Sequence, residues 1–238
     1  MVAPGSTQVA GRILSPRIAL SRSLARYDAH PLGIRAFVRL RHFLTPLAPL
    51  LAEVPPAGRV LDVGCGHGLF ANALALGAPT RAVLGVDPSS AKIDVARASA
   101  STDARRRIPS IPNVAYRQGS VQDVHERGFY AITILDVLYL LPIDDKLAIL
   151  RACRERIAPD GVLVLKTNDT SPAWKYRVAR LQEQAMTTVG LTLGGHGLHF
   201  LGREQNAELL RRAGFAPRTI VLRSLMPYPH VMFVARPA

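Results

Sequence analysis

Arg59-Val60-Leu61-Asp62-Val63-Gly64-Cys65-Gly66-His67-Gly68 governs how the rest of the chain is read. A short apolar run holding a single acid leads directly into three alternate glycines. That pattern predicts a buried strand over 59–63, a turn with backbone angles that glycine adopts most easily, and a helix beginning near His67. Asp87 follows 21 residues after Gly66 and closes the next apolar run, 82–86; Pro88 and Ser89 come after it, with Ser89 suited to cap a helix. An acid so placed can accept hydrogen bonds from ribose hydroxyls. The turn lacks the Gly-x-Gly-x-x-Gly spacing that brings a pyrophosphate to a helix N-terminus, so a ligand with ribose and no phosphate fits better.

Outward from this stretch, strands are expected over 114–118, 131–135 and 162–166. A helix starting near Asp144 places Leu147, Leu150, Cys153 and Ile157 on one face, and Pro159-Asp160-Gly161 is expected to stop it. Strands separated by helices of this length imply a parallel sheet covered on both faces. The tail departs from that rhythm. A helix over 203–213 ends at Gly214, and apolar runs over 216–222 and 231–235 sit close together, which requires an antiparallel hairpin. Residues 1–25 are expected to be a basic flexible arm and 26–58 a helical cap. Residues 59–238 form the ligand-binding domain, with 168–202 inserted as a lid over the site.

Residues 59–167 resemble the core of a class I S-adenosylmethionine-dependent methyltransferase. Asp62, Gly64, Gly66 and Gly68 match the family's glycine-rich first motif, and Leu84-Gly85-Val86-Asp87 its acidic second motif. Ala131 to Leu138 matches the fourth strand, and Ile157-Ala158-Pro159-Asp160-Gly161-Val162-Leu163 the fifth-strand motif. Gly202-Arg203 through Ala213-Gly214-Phe215 is similar to the last helix and its entry into the hairpin. The resemblance implies an α/β fold: a Rossmann-like, doubly wound, seven-stranded sheet, mostly parallel with a C-terminal antiparallel hairpin. It implies S-adenosyl-L-methionine as cofactor, with its methionine part against Gly64, Cys65, Gly66 and Gly68 and its amino group near Asp62. Asp87 would hold the ribose, beside Pro88. One position departs from the family: Ser120 stands where an acid often contacts the adenine amine, so a hydroxyl contact or the Val121 backbone is expected there. Asp123 is expected to cap a helix.

The charge is uneven. Net charge is +13, yet residues 59–170 carry 14 basic and 12 acidic side chains, against 7 and 2 before them and 9 and 3 after. Basic ends suit a polyanion, an anionic membrane surface or an acidic small molecule. Because 26 of the 30 basic residues are Arg, a compositional origin is equally open. Arg12, Arg17, Arg22 and Arg26 recur like a transit peptide or a basic surface helix. Composition excludes a disordered chain. Two cysteines cannot build a disulfide framework or a structural zinc site, no run suits a membrane span, and a cytoplasmic location is expected, with peripheral membrane contact open. Metal binding is not expected, and the oligomeric state is left open.

The reactive methyl and its leaving group belong to a sulfonium cofactor, so the protein must mainly align an acceptor and exclude water. Candidates lie beyond the carboxyl ends of the strands. Asp136 and Tyr139 follow the fourth strand and are candidates for catalysis, Asp136 for cofactor contact also. His196, in a glycine-rich setting suited to a lid, is the first choice as base, with His199 and His230 behind it. Asp136-Val137-Leu138-Tyr139-Leu140-Leu141-Pro142 lacks the Asn/Asp-Pro-Pro-Tyr/Phe arrangement of many enzymes that methylate base or glutamine amines. The expected activity is therefore methyl transfer to oxygen or carbon of a small or lipid-like acceptor. The alternatives are nucleic-acid methylation using the basic ends, a nicotinamide-dependent oxidoreductase, and a binding subunit without activity.

Overall fold

A computed structural model describes residues 12–177, 180–181, 198–224 and 228–238. The elements run α1 (Pro16–Ala25), α2 (Leu32–Leu44), α3 (Leu47–Ala52), β1 (Gly58–Val63), α4 (Leu69–Gly77), β2 (Arg81–Asp87), α5 (Ser90–Ala100) and β3 (Val114–Gln118). They continue with β4 (Phe129–Leu135), α6 (Ile143–Arg156), β5 (Ile157–Asn168), α7 (Arg203–Arg212), β6 (Phe215–Val221) and β7 (His230–Pro237). The sheet has seven strands in the order β3-β2-β1-β4-β5-β7-β6. β1 to β5 pair in parallel, and β7 lies antiparallel between β5 and β6, as the hairpin reading required.

Period-two alternation sends successive side chains into two separate cores. Val60, Val83, Ala131 and Val164 face α1, α4 and α5, while Leu61, Ile132, Leu163 and Leu165 face α6 and α7. Because β1 pairs with β2 on one side and β4 on the other, the winding reverses there, and a crevice opens at the carboxyl ends of these strands.

Two sequence expectations require correction. The flexible arm expected over 1–25 is a helix in its second half, Pro16–Ala25, while residues 1–11 of it lie outside the described residues. Ala19, Leu20 and Ser23 of α1 are buried, the Ser23 hydroxyl donates to the Leu69 carbonyl at 2.7 Å, and Arg17 and Arg22 face outward. Just after α1, the Arg26 guanidinium donates to the carbonyls of Ser99, Ala100, Ser101 and Pro109. Apolar spacing on one face of α1 and a guanidinium matched to four carbonyls outweigh the uniform basic look of the sequence. The second correction concerns β5, which starts at Ile157 instead of 162, so α6 ends before Pro159. Phe129 pairs with Ile157 and Ala131 with Val162, and the shift in register lets Pro159 and Asp160 bulge outward.

Candidate active site

The cavity lies over the glycine turn. Its volume is about 340 Å³, within the range of small-molecule sites. The floor is built from β-strand ends. Gly64, Gly66 and Gly68 all have positive φ, at +69°, +55° and +86°. A Cβ on Gly64 would lie 2.4 Å from a Val137 methyl, and one on Gly68 would lie 2.6 Å from the Tyr116 hydroxyl. A Cβ on Gly66 would meet nothing, so that glycine leaves its backbone open to a ligand.

Asp87 joins the two motifs. Its Oδ2 accepts the Gly66 N–H at 3.0 Å and its Oδ1 the Ser89 N–H at 3.0 Å. Each oxygen retains a further lone pair for a hydroxyl donor. Asp62 is buried at the cavity floor, where register places Thr133 beside it; the Thr133 hydroxyl donates to Oδ1 at 2.6 Å. Burial pushes the Asp62 carboxyl up to about 7, with a lesser upward push from Asp87 against the downward pull of Thr133. Burial, then the charges of Asp62 and Asp87, raise the Cys65 thiol well above its usual range, so it lines the cavity as an inert group and not as a nucleophile.

Pro88, Ser120 and Val121 wall the far end. Asp123 is not itself the cap of the short 3-10 turn after β3. Ser120 starts that turn, and Asp123 Oδ2 receives both the Ser120 N–H at 2.7 Å and its hydroxyl at 2.8 Å. The Ser120 oxygen is thereby left to act as an acceptor, the role an adenine amine requires.

On the opposite side, α2 contributes Phe37, Val38 and Arg41 to the wall, and Leu140 and Leu141 face them. Asp136 lies between the halves in left-handed backbone, φ +58°, with its N–H held by the Lys166 carbonyl. Its carboxylate meets the Lys166 ammonium at 2.5 Å and the Arg41 guanidinium at 3.4 Å. Burial alone would raise this carboxyl, but Lys166 and Arg41 outweigh it and keep it ionised, below its usual range. Tyr139 stands behind the wall, its ring stacked on Phe200 at 4.7 Å. It does not line the cavity. His199 is exposed, and its N–H donates to the Tyr139 carbonyl. His230 is buried with both ring nitrogens engaged, by Asn168 and by the Leu44 carbonyl, each at 3.0 Å. That geometry fits a strut and leaves no lone pair for a substrate. His196 lies outside the described residues.

Sequence reasoning missed Lys166, Arg41, His67 and Lys92. Lys166 hides inside a strand, and Arg41 reads as one more surface charge; its spacing from Phe37 and Val38 on one helix face was the available signal. His67 sits in the quoted turn, half-buried against Phe37, and burial lowers its imidazole to about 4. Among the described residues no group of three or more His, Cys, Asp or Glu is placed to hold a metal, and no helix is long and apolar enough to cross a membrane.

A glycine turn at the switch point, with acids closing the two strands beside it, defines a Rossmann-like protein built for a nucleoside-type ligand. A family model described as a methyltransferase domain matches residues 34–220, and the chain belongs to that family. It is 38% identical over 122 residues to the ubiquinone biosynthesis O-methyltransferase of Xanthomonas campestris pv. campestris, covering 50% of this chain and 46% of that protein. To the ubiquinone biosynthesis O-methyltransferase of Cereibacter sphaeroides it is 31% identical over 178 residues, covering 71% of this chain and 64% of the other. The chain thus spans about half to two thirds of the length of these curated relatives. Its fold is that of the Synechocystis magnesium protoporphyrin IX methyltransferase with bound SAH, at TM-score 0.59 and 19% identity over 92% of this chain and 94% of that one. The residues present fit S-adenosylmethionine: an open backbone at Gly66, a carboxylate with free lone pairs at Asp87, and a buried acid at Asp62.

Proposed function

We propose that the protein transfers a methyl group from S-adenosylmethionine to an oxygen of a small, predominantly apolar acceptor. The observation that carries this is a single cavity whose one half is the glycine turn with Asp62 and Asp87, and whose other half is the apolar wall from α2 and Leu140-Leu141. The names of the relatives favour oxygen over carbon. When bound, the sulfonium supplies an activated methyl group with its own leaving group. The work of the chain is then alignment and exclusion of water. Asp87 takes the ribose hydroxyls, Asp62 faces the amino group, and Val121 with Ser120 receives the adenine.

Asp136 is locked to Lys166 and Arg41, so its part is to fix the strand end and the α2 wall rather than to remove a proton. Among the described residues the acceptor half thus works by positioning, and His196 stays our candidate for base. Nucleic-acid methylation is disfavoured because the acceptor wall is mostly apolar, with Phe37, Val38, Leu140 and Leu141 around the already paired Arg41, and so offers a base few polar edge contacts. The test is formation of S-adenosylhomocysteine by the purified chain with phenols and catechols, with and without alkyl tails, and with RNA and DNA as separate arms. Turnover on tailed phenols supports the reading; turnover on nucleic acid alone overturns it.

The lipid-like form of the acceptor has its own support. Leu32, Leu40 and Phe43 make an exposed apolar stripe along α2, with the exposed Arg39 on the same helix. Such a surface suits the interface of an anionic bilayer. Co-flotation with phosphatidylglycerol vesicles, and its loss in a Leu40→Glu, Phe43→Glu variant, checks it; equal flotation of the variant removes the stripe from consideration.

A further inference from the structure

The glycine turn is held from behind by a buried polar network that no catalytic role explains. The hydroxyl of Tyr27, in the joint between α1 and α2, donates to the His67 carbonyl at 2.6 Å, 40 residues away in sequence. Asn72, on the first turns of α4, donates to the Ser99 hydroxyl oxygen at 2.8 Å and reaches the Tyr27 oxygen at 3.4 Å. The Tyr116 hydroxyl donates to Asn72 Oδ1 at 2.8 Å and sits 3.1 Å from the Gly68 carbonyl. Tyr27, Asn72, Ser99 and Tyr116 are all buried. Burial raises both phenols well above their usual range, so both stay neutral and keep the proton they donate.

The network addresses a specific problem. A turn with three alternate left-handed glycines has few conformational constraints of its own. Gly68 N–H closes onto the Cys65 carbonyl and Gly68 accepts from Asn72 N–H, so the Gly68 carbonyl is satisfied within α4. The His67 carbonyl takes its described donor from outside, from Tyr27. Loss of that donor leaves a polar group without a partner at the point where the turn meets the helix.

We propose that Tyr27 is a positioning residue for cofactor binding: it holds the His67 peptide so that the Gly64–Gly68 backbone is preset to receive the ligand. The inference rests on reading this turn as the S-adenosylmethionine cradle. Tyr27 also lies five residues before α2, which walls the acceptor half, so one hydroxyl ties the position of that wall to the shape of the turn. Preset loops bind more tightly because less ordering remains to be done on association.

The experiment is calorimetric titration of S-adenosylhomocysteine into wild type, Tyr27→Phe and Cys153→Ala, the last being a core change in the opposite layer. Tyr27→Phe should raise Kd about three- to tenfold and raise the KM for S-adenosylmethionine, with kcat at saturation kept. Cys153→Ala should lower Tm without moving Kd. An unchanged Kd in Tyr27→Phe overturns the proposal, as does an equal rise in Cys153→Ala. Hydrogen exchange on the wild type covers the case of a variant that does not fold: ligand must slow exchange across residues 24–30, and protection confined to the cavity lining overturns the idea. Wild type that binds no S-adenosylhomocysteine refutes the functional reading itself, a result distinct from either.

Discussion

The Gly66 amide and the Asp87 carboxylate are 3.0 Å apart, so the acid that closes β2 holds the middle of the turn that follows β1. The two sequence motifs are one physical object. Asp87 shapes the cradle with one lone pair of Oδ2 and offers others to the ligand.

Asp87→Ala therefore loses both the turn contact and the ribose contacts. It should weaken S-adenosylhomocysteine binding by more than tenfold, about 1.5–3 kcal/mol for charge-assisted bonds. Asp87→Asn should lose less, since its amide oxygen still accepts. Calorimetry on both variants gives the order.

Asp62 predicts a pH signature. Its carboxyl is raised by burial to about 7, so the folded chain binds a proton that the unfolded chain has released, and stability falls as pH rises from about 4 to about 7. Asp62→Asn should remove that loss. Its stability advantage over wild type, read as a rise in Tm, should grow across this window and then level off at on the order of 4 kcal/mol. A cofactor amine beside the ionised carboxylate makes binding release a proton, so wild-type affinity should climb through pH 7, and that slope should vanish in the variant.

His230 acts in the opposite sense. Burial lowers its imidazole to about 4, so the unfolded chain takes up the proton first, and stability drops as pH falls from about 6.5 toward 4. His67 adds in the same direction. Between pH 4 and 6.5 the two histidines lose stability as pH falls while Asp62 gains it, two against one, so thermal melts of wild type should decline across that window on acidification, less steeply than the histidines alone would give. His230→Gln should tilt the curve and loosen Leu44, the last residue of α2. A pH–rate profile with an acid limb that disappears in His230→Gln while the fold is kept would make it a base after all.

Lys166→Met leaves Asp136 buried with only its longer contact to Arg41. Removing one partner of a buried pair costs about 3–5 kcal/mol. Pairing it with Asp136→Leu should recover most of the loss in urea denaturation, whereas additive losses would show that the pair contributes little through mutual attraction.

Gly64→Ala places a Cβ 2.4 Å from a Val137 methyl at a φ of +69°. Folding should suffer, and adding Val137→Ala should relieve the clash but leave backbone strain of about 1–2 kcal/mol. The midpoint of denaturation for the single and double variants checks this split.

What the chain declares on its own is local. Alternating Val60-Leu61 and Leu163-Val164-Leu165 betray a sheet buried on both faces, since strand geometry sends neighbours to opposite sides. Alternate glycines after a strand imply a left-handed turn, because other residues resist positive φ. Asp62 and Asp87 are legible because strand ends fix their position. Tertiary structure alone decided what depends on distant partners. The Arg41 guanidinium reaches Asp136, 95 positions on in the sequence, and His230 bridges Asn168 and Leu44. Neither contact leaves a mark on local spacing. Likewise 16–25 looked like a basic tail until α4 offered a surface for Ala19 and Leu20 to bury against. Propensity and periodicity act over a few residues, whereas a buried charge or phenol takes its role from whichever group the fold brings beside it.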